Sequence, residues 1–134
     1  MPDIKHFLNF KQIEMSNISY HMYKGKKIMY VDYTHCKNAE EMTKVLQEVK
    51  REYESTTEMY ISVADFRGTF GTSEFLKEAQ KAAKEIIDSR TSKTAILGVT
   101  GIKKILLQSY NAFIKHKMVP FDTKEEAFEY LVKD

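Results

Sequence analysis

At 134 residues, 43% of them apolar, the chain has the size and make-up of one globular domain, residues 1–134, with enough bulk to bury about two-thirds of its unfolded surface. Its 21 basic and 19 acidic side chains leave a net charge of +2, too balanced to point to nucleic acid or an anionic membrane surface. The lone cysteine, Cys36, excludes an intramolecular disulfide, and no apolar run approaches the roughly 18 residues of a membrane span.

The start, Met1-Pro2-Asp3-Ile4, carries an early acid and lacks the apolar stretch of a secretory leader. With the single thiol, this sets the expectation of a cytoplasmic protein. Ile4, Phe7, Leu8 and Phe10 follow neither a helical nor a strand period, so residues 1–13 read as an arm of undefined structure. Two runs rich in aromatic and β-branched residues, Ile18–Tyr23 and Lys27–Tyr33, flank Lys24-Gly25-Lys26 in the pattern of a hairpin. Ser19, His21 and Asp32 give that hairpin a wetter face.

Asn38 followed by Glu41 is a capping-box start, and Met42, Val45, Leu46, Val49 and Tyr53 form one apolar stripe at helical spacing. Met59–Ala64 is short and mostly apolar, as a buried central strand should be. A loop with two glycines leads to Thr72 or Ser73 as a helix cap. The helix beyond it turns Phe75, Leu76, Ala79, Ala82, Ala83, Ile86 and Ile87 to one side. Thr94–Val99 reads as a strand, and Gly98 and Gly101 flank the turn into a helix that buries Ile102, Ile105, Leu106, Tyr110, Phe113 and Ile114. Met118–Phe121 is a last short strand. Asp122 and Glu125 then open a final helix with Ala127, Phe128 and Leu131 inward. The order β-β-α-β-α-β-α-β-α specifies an α/β fold: a mostly parallel sheet with an N-terminal hairpin and right-handed crossovers.

Three segments carry a family resemblance. Val63-Ala64-Asp65-Phe66-Arg67-Gly68-Thr69, Gly98-Val99-Thr100-Gly101-Ile102-Lys103-Lys104-Ile105-Leu106 and Phe121-Asp122-Thr123-Lys124-Glu125-Glu126-Ala127 resemble the SpoIIAA-like family of the STAS superfamily, whose founding members are anti-sigma-factor antagonists. The resemblance spans about residues 14–134. It implies a small, cofactor-free regulatory or binding module, with a curved sheet and its helices on one side. In phosphorylated STAS members, a serine in an Asp-Ser-Ser-Gly-Leu motif opens the helix after the central strand and acts as the switch. Here that region reads Gly71-Thr72-Ser73-Glu74-Phe75, without the aspartate or the glycine-leucine pair. Thr72 and Ser73 are the hydroxyls that stand in for the switch.

Several residue groups could carry function. Asp65, Arg67, Gly68 and Thr69 follow the central strand, at the sheet edge where α/β folds bind ligands. Arg67 could hold an anion that Asp65 orients or deprotonates, or the two could simply pair with each other. Thr72 and Ser73 are either phosphorylation sites or plain caps. The Gly98–Gly101 turn, with Thr100 in it, could cradle an anion beside Lys103 and Lys104, or merely turn the chain; it matches neither a Walker loop nor GxGxxG. His35 and Cys36 are adjacent and so point apart, which argues against a metal site or an activated thiol. Tyr20, Tyr23, Tyr30 and Tyr33 either pair across the hairpin or form a patch for a protein partner or a homodimer.

The leading expectation is a non-enzymatic regulatory or protein-interaction module. The alternative is a carrier or sensor of a small apolar or anionic molecule, which calls for a pocket of at least about 300 Å³. An enzyme would have to work from Asp65, Arg67 and Thr72 alone.

Overall fold

The computed structural model describes residues 16–134; the arm expected over residues 1–13 lies outside them. One five-stranded sheet runs in chain order through β1 (Ile18–Tyr23), β2 (Lys26–Asp32), β3 (Tyr60–Asp65), β4 (Thr91–Leu97) and β5 (Met118–Phe121). β1 pairs antiparallel with β2, and the remaining pairs are parallel. Lys24 and Gly25 join β1 to β2 with φ of 49° and 81°, the paired positive values that match the twist of a tight hairpin.

Between the parallel strands run α1 (Ala39–Glu54), α2 (Ser73–Ala82) and α3 (Ile102–Phe113); α4 (Lys124–Val132) closes the chain. Because the strands follow one another in order, crossovers of one hand carry α1, α2 and α3 to the same face. There Met42, Val45, Val49 and Tyr53 of α1 pack with Met29, Val31, Ala64 and Ile96. α4 is not a crossover and takes the other face. Its Ala127, Phe128 and Leu131 cover Ile28, Tyr30, Val63, Ala95 and Leu97. The expectation of helices on one side is thereby corrected. Strand side chains alternate, and β2 and β4 are apolar on both faces, so both need a cover. The wetter face of the hairpin is covered only in part: His21 lies 5.4 Å from the Tyr30 ring and 5.7 Å from Phe128, while Ser19 stays exposed.

Three local readings shift. The final helix is capped by Thr123 and Glu126 rather than Asp122 and Glu125. Thr123 has extended φ, its hydroxyl accepts the Glu126 amide, and the Glu126 carboxylate accepts the Thr123 amide. At α1, Asn38 caps as expected, but Glu41 reaches back to the Lys37 amide instead of closing on Asn38. The helix after Thr72 continues beyond Ala82 through a widened π turn, Ala83–Ile87, and a 3₁₀ turn, Asp88–Arg90.

The larger departure concerns α3. Ile102, Ile105 and Phe113, expected in the core, are exposed, while Leu106, Leu107 and Tyr110 face the sheet. Among the described residues, no helix is long and apolar enough to cross a membrane.

Candidate functional site

β2, β3 and β4 end in register at the carboxyl edge of the sheet, where Asp32 pairs with Asp65 and Asp65 with Leu97. Phe66 continues β3 and bonds through its amide to the Leu97 carbonyl. Neighbouring side chains on a strand point to opposite faces. Asp65 therefore turns toward the α4 face and Phe66 toward α1–α3, and the expected edge site divides in two.

On the α4 face, Asp65 is 2% exposed. Its carboxylate accepts the Tyr30 hydroxyl, the Arg67 amide at 3.1 Å, and Arg67 Nε and Nη2 at 3.0 and 2.8 Å. Burial alone would raise the Asp65 pKa. The hydrogen bonds from Arg67 and Tyr30 outweigh it and hold the carboxyl below its ordinary value. The same carboxylate raises the pKa of Arg67, while burial first and then this bond raise that of Tyr30. Asp65 is an ionised acceptor with its lone pairs engaged, unsuited to act as a base in this geometry. The outer part of the Arg67 guanidinium stays half exposed.

On the other face, Phe66 stacks on Tyr33 at 4.1 Å and meets Phe75 edge-on. Beneath these rings, between the sheet and α1, α2 and α3, lies a mostly apolar cavity of about 140 Å³. Leu76, Ala79, Ile87, Leu107, Tyr110 and Met118 supply much of its wall. Phe70, Thr72 and Lys103 also line it, and Phe70 is 73% exposed, so the cavity meets the surface beside the β3–α2 loop. Lys103 Nζ donates to the Phe66 carbonyl at 3.1 Å.

Close packing shapes this rim. A Cβ on Gly71 would sit 2.6 Å from Leu106 Cδ1 and 3.0 Å from Lys103 Cγ, so the missing side chain is what lets the loop lie against α3. Gly98 has φ +83°, and a Cβ there would lie 2.5 Å from the Arg67 backbone. The Gly98–Gly101 turn thus seats the β3–α2 loop. Thr100 accepts the Lys103 amide through its carbonyl.

The remaining candidates find separate places. The Thr69 hydroxyl donates to the Phe66 carbonyl, and Gly68 supplies a positive φ in the same turn. Thr72 caps α2 by accepting the Phe75 amide, while Ser73 begins the helix exposed. Cys36 is buried in the α1 core, and burial, reinforced by Glu41, pushes its thiol pKa up, away from a nucleophile. Among the described residues, no three His, Cys, Asp or Glu side chains converge as a metal site.

Lys103 was a candidate anion contact in the sequence and the carrier alternative called for a pocket, but neither the cavity's place nor Phe70 and Tyr110 as its lining was anticipated. The available signal was α3 itself, which is apolar on more sides than one sheet-facing stripe requires. No protein-family model and no curated protein matches the sequence. Among solved structures, the chain is similar to a protein of the DUF3478 family from Shewanella loihica PV-4, described as uncharacterised and as having a SpoIIAA-like fold. The likeness covers 85% of this chain and 91% of that one, at 16% identity and a TM-score of 0.55. The fold is SpoIIAA-like. The resemblance read from Val63–Thr69, Gly98–Leu106 and Phe121–Ala127 therefore holds for the architecture. In this SpoIIAA-like chain the helix after the central strand opens with a capping threonine and an exposed serine.

Proposed function

We propose that the domain is a non-enzymatic sensor or carrier of a small, largely apolar molecule held in the cavity beneath α1–α3. The observation that carries this reading is the cavity itself: about 140 Å³, walled by Leu, Ile, Ala and aromatic side chains, and reaching the surface at the carboxyl edge of the sheet. It is about half the roughly 300 Å³ expected of a carrier pocket. That size fits a molecule of one ring or a short branched chain. An engineered cavity of about 150 Å³ in another protein admits benzene.

A protein-interaction role enters through the rim. Phe70, Ile102 and Ile105 are 73%, 57% and 58% exposed, and Gly71 holds the loop carrying Phe70 against Ile102. An apolar surface beside a cavity mouth would let a protein partner, or a second copy of the chain, read whether the cavity is filled. Arg67, anchored by Asp65, offers a charged contact at the same edge. Ser73 is the exposed hydroxyl through which phosphorylation would act; Thr72 is occupied as a cap.

The test is a ¹H–¹⁵N correlation titration of the full chain with toluene. Saturable shifts confined to residues around the cavity support the reading. Unchanged spectra up to the solubility limit would overturn it.

A further inference from the structure

This inference rests on the cavity reading, in which Lys103 is the one cation of the lining among the described residues. No carboxylate lines the cavity among the described residues, yet Lys103 does. Its ammonium has no ion-pair partner among those residues, and its hydrogen bond runs to the neutral Phe66 carbonyl. Arg67, the neighbouring cation, is by contrast committed to Asp65. A half-buried ammonium facing neutral groups lacks the counter-charge that usually offsets its desolvation. Burial pulls its pKa below the ordinary lysine value, in keeping with that deficit.

The backbone adds to the field. α2 and α3 both begin at this rim, with Gly71 in contact with Ile102 and Lys103, so two helix N-termini face the mouth. The acid in these first turns is Glu74, which is exposed and absent from the lining. The lining thus carries one cation, no carboxylate among the described residues, and a mostly apolar interior.

We propose that the cavity takes a small monocarboxylic acid with a single aromatic ring or short branched tail. Its carboxylate bonds to Lys103 Nζ, and its body fills the space between Phe66, Leu107 and Ala79.

Benzoate and toluene are titrated into the full-length wild type, Lys103→Met and Lys103→Arg, with affinities read from the same amide shifts. The expected result has three parts. Wild type binds benzoate, Lys103→Met weakens it at least about tenfold, about the effect of one charge-assisted hydrogen bond, and Lys103→Arg keeps most of the affinity. Toluene should bind all three proteins within about twofold, which also shows that the variants are folded. If toluene binds but benzoate does not, or benzoate ignores Lys103→Met, the carboxylate assignment is overturned and the cavity reading stands. If neither probe binds wild type, both fall.

Discussion

Filling the cavity from within is the sharpest perturbation available. Ala79 lies on α2 and lines the cavity, so Ala79→Leu sends three more carbons into open space. At about 0.8 kcal/mol per buried carbon the gain reaches about 2.4 kcal/mol. Freezing the leucine rotamer costs about 0.5–1 kcal/mol, leaving a net stabilisation of about 1.5 kcal/mol. Urea unfolding followed by circular dichroism measures the change. The midpoint should rise with an unchanged slope, and toluene should no longer bind. A loss of about 1 kcal/mol or more would refute the reasoning, because it is the signature of forcing a side chain into space already filled.

Asp65→Ala should cost about 2–3 kcal/mol at neutral pH. Most of that comes from stranding the buried Tyr30 hydroxyl, and half-exposed Arg67 adds little because it recovers water. The folded Asp65 pKa lies below its unfolded value of about 3.9, so its contribution is present above about pH 4 and fades as pH falls through the folded pKa. Urea midpoints at pH 6 and pH 3 check this; an equal gap between variant and wild type at both would contradict it. Gly98→Ala should cost about 3 kcal/mol or abolish folding, because it combines a positive φ with a clash against the Arg67 backbone; a soluble variant within about 1 kcal/mol of wild type would show that the loop is not seated there. Thr72→Ala should lose about 1 kcal/mol as a missing cap while Ser73→Ala stays within about 0.5 kcal/mol, measured by thermal unfolding; the reverse order would move the cap to Ser73.

The order of elements along the chain was legible because the strands are short and bounded by turn residues, and because the five α1 stripe residues repeat at helical spacing and are all buried. Asp65 and Arg67 were legible as edge residues, with an anion site and a mutual pair both open; two residues of separation in a turn let the guanidinium fold back onto the carboxylate. The two sides of that edge were not. Whether Asp65 and Thr72 meet depends on the strand face each takes, and the β3–α2 loop places Thr72 with Phe66 on the α1–α3 side. The position of α4 was hidden for a related reason, because no following strand constrains a terminal helix to one face. The cavity was invisible because it arises from how α1, α2 and α3 fail to fill the space between them, not from a residue pattern. α3 shows this best: Ile102, Ile105, Leu106, Tyr110 and Phe113 are alike in hydropathy, yet Ile102, Ile105 and Phe113 face out while Leu106 and Tyr110 line the cavity.

The most direct test of the cavity is crystallography of the protein under xenon pressure, since xenon enters dry apolar space of this size without needing a polar partner. Anomalous density between Ala79, Leu107 and Phe66 is the predicted result. A well-diffracting derivative with no xenon beneath α1–α3 would contradict the account.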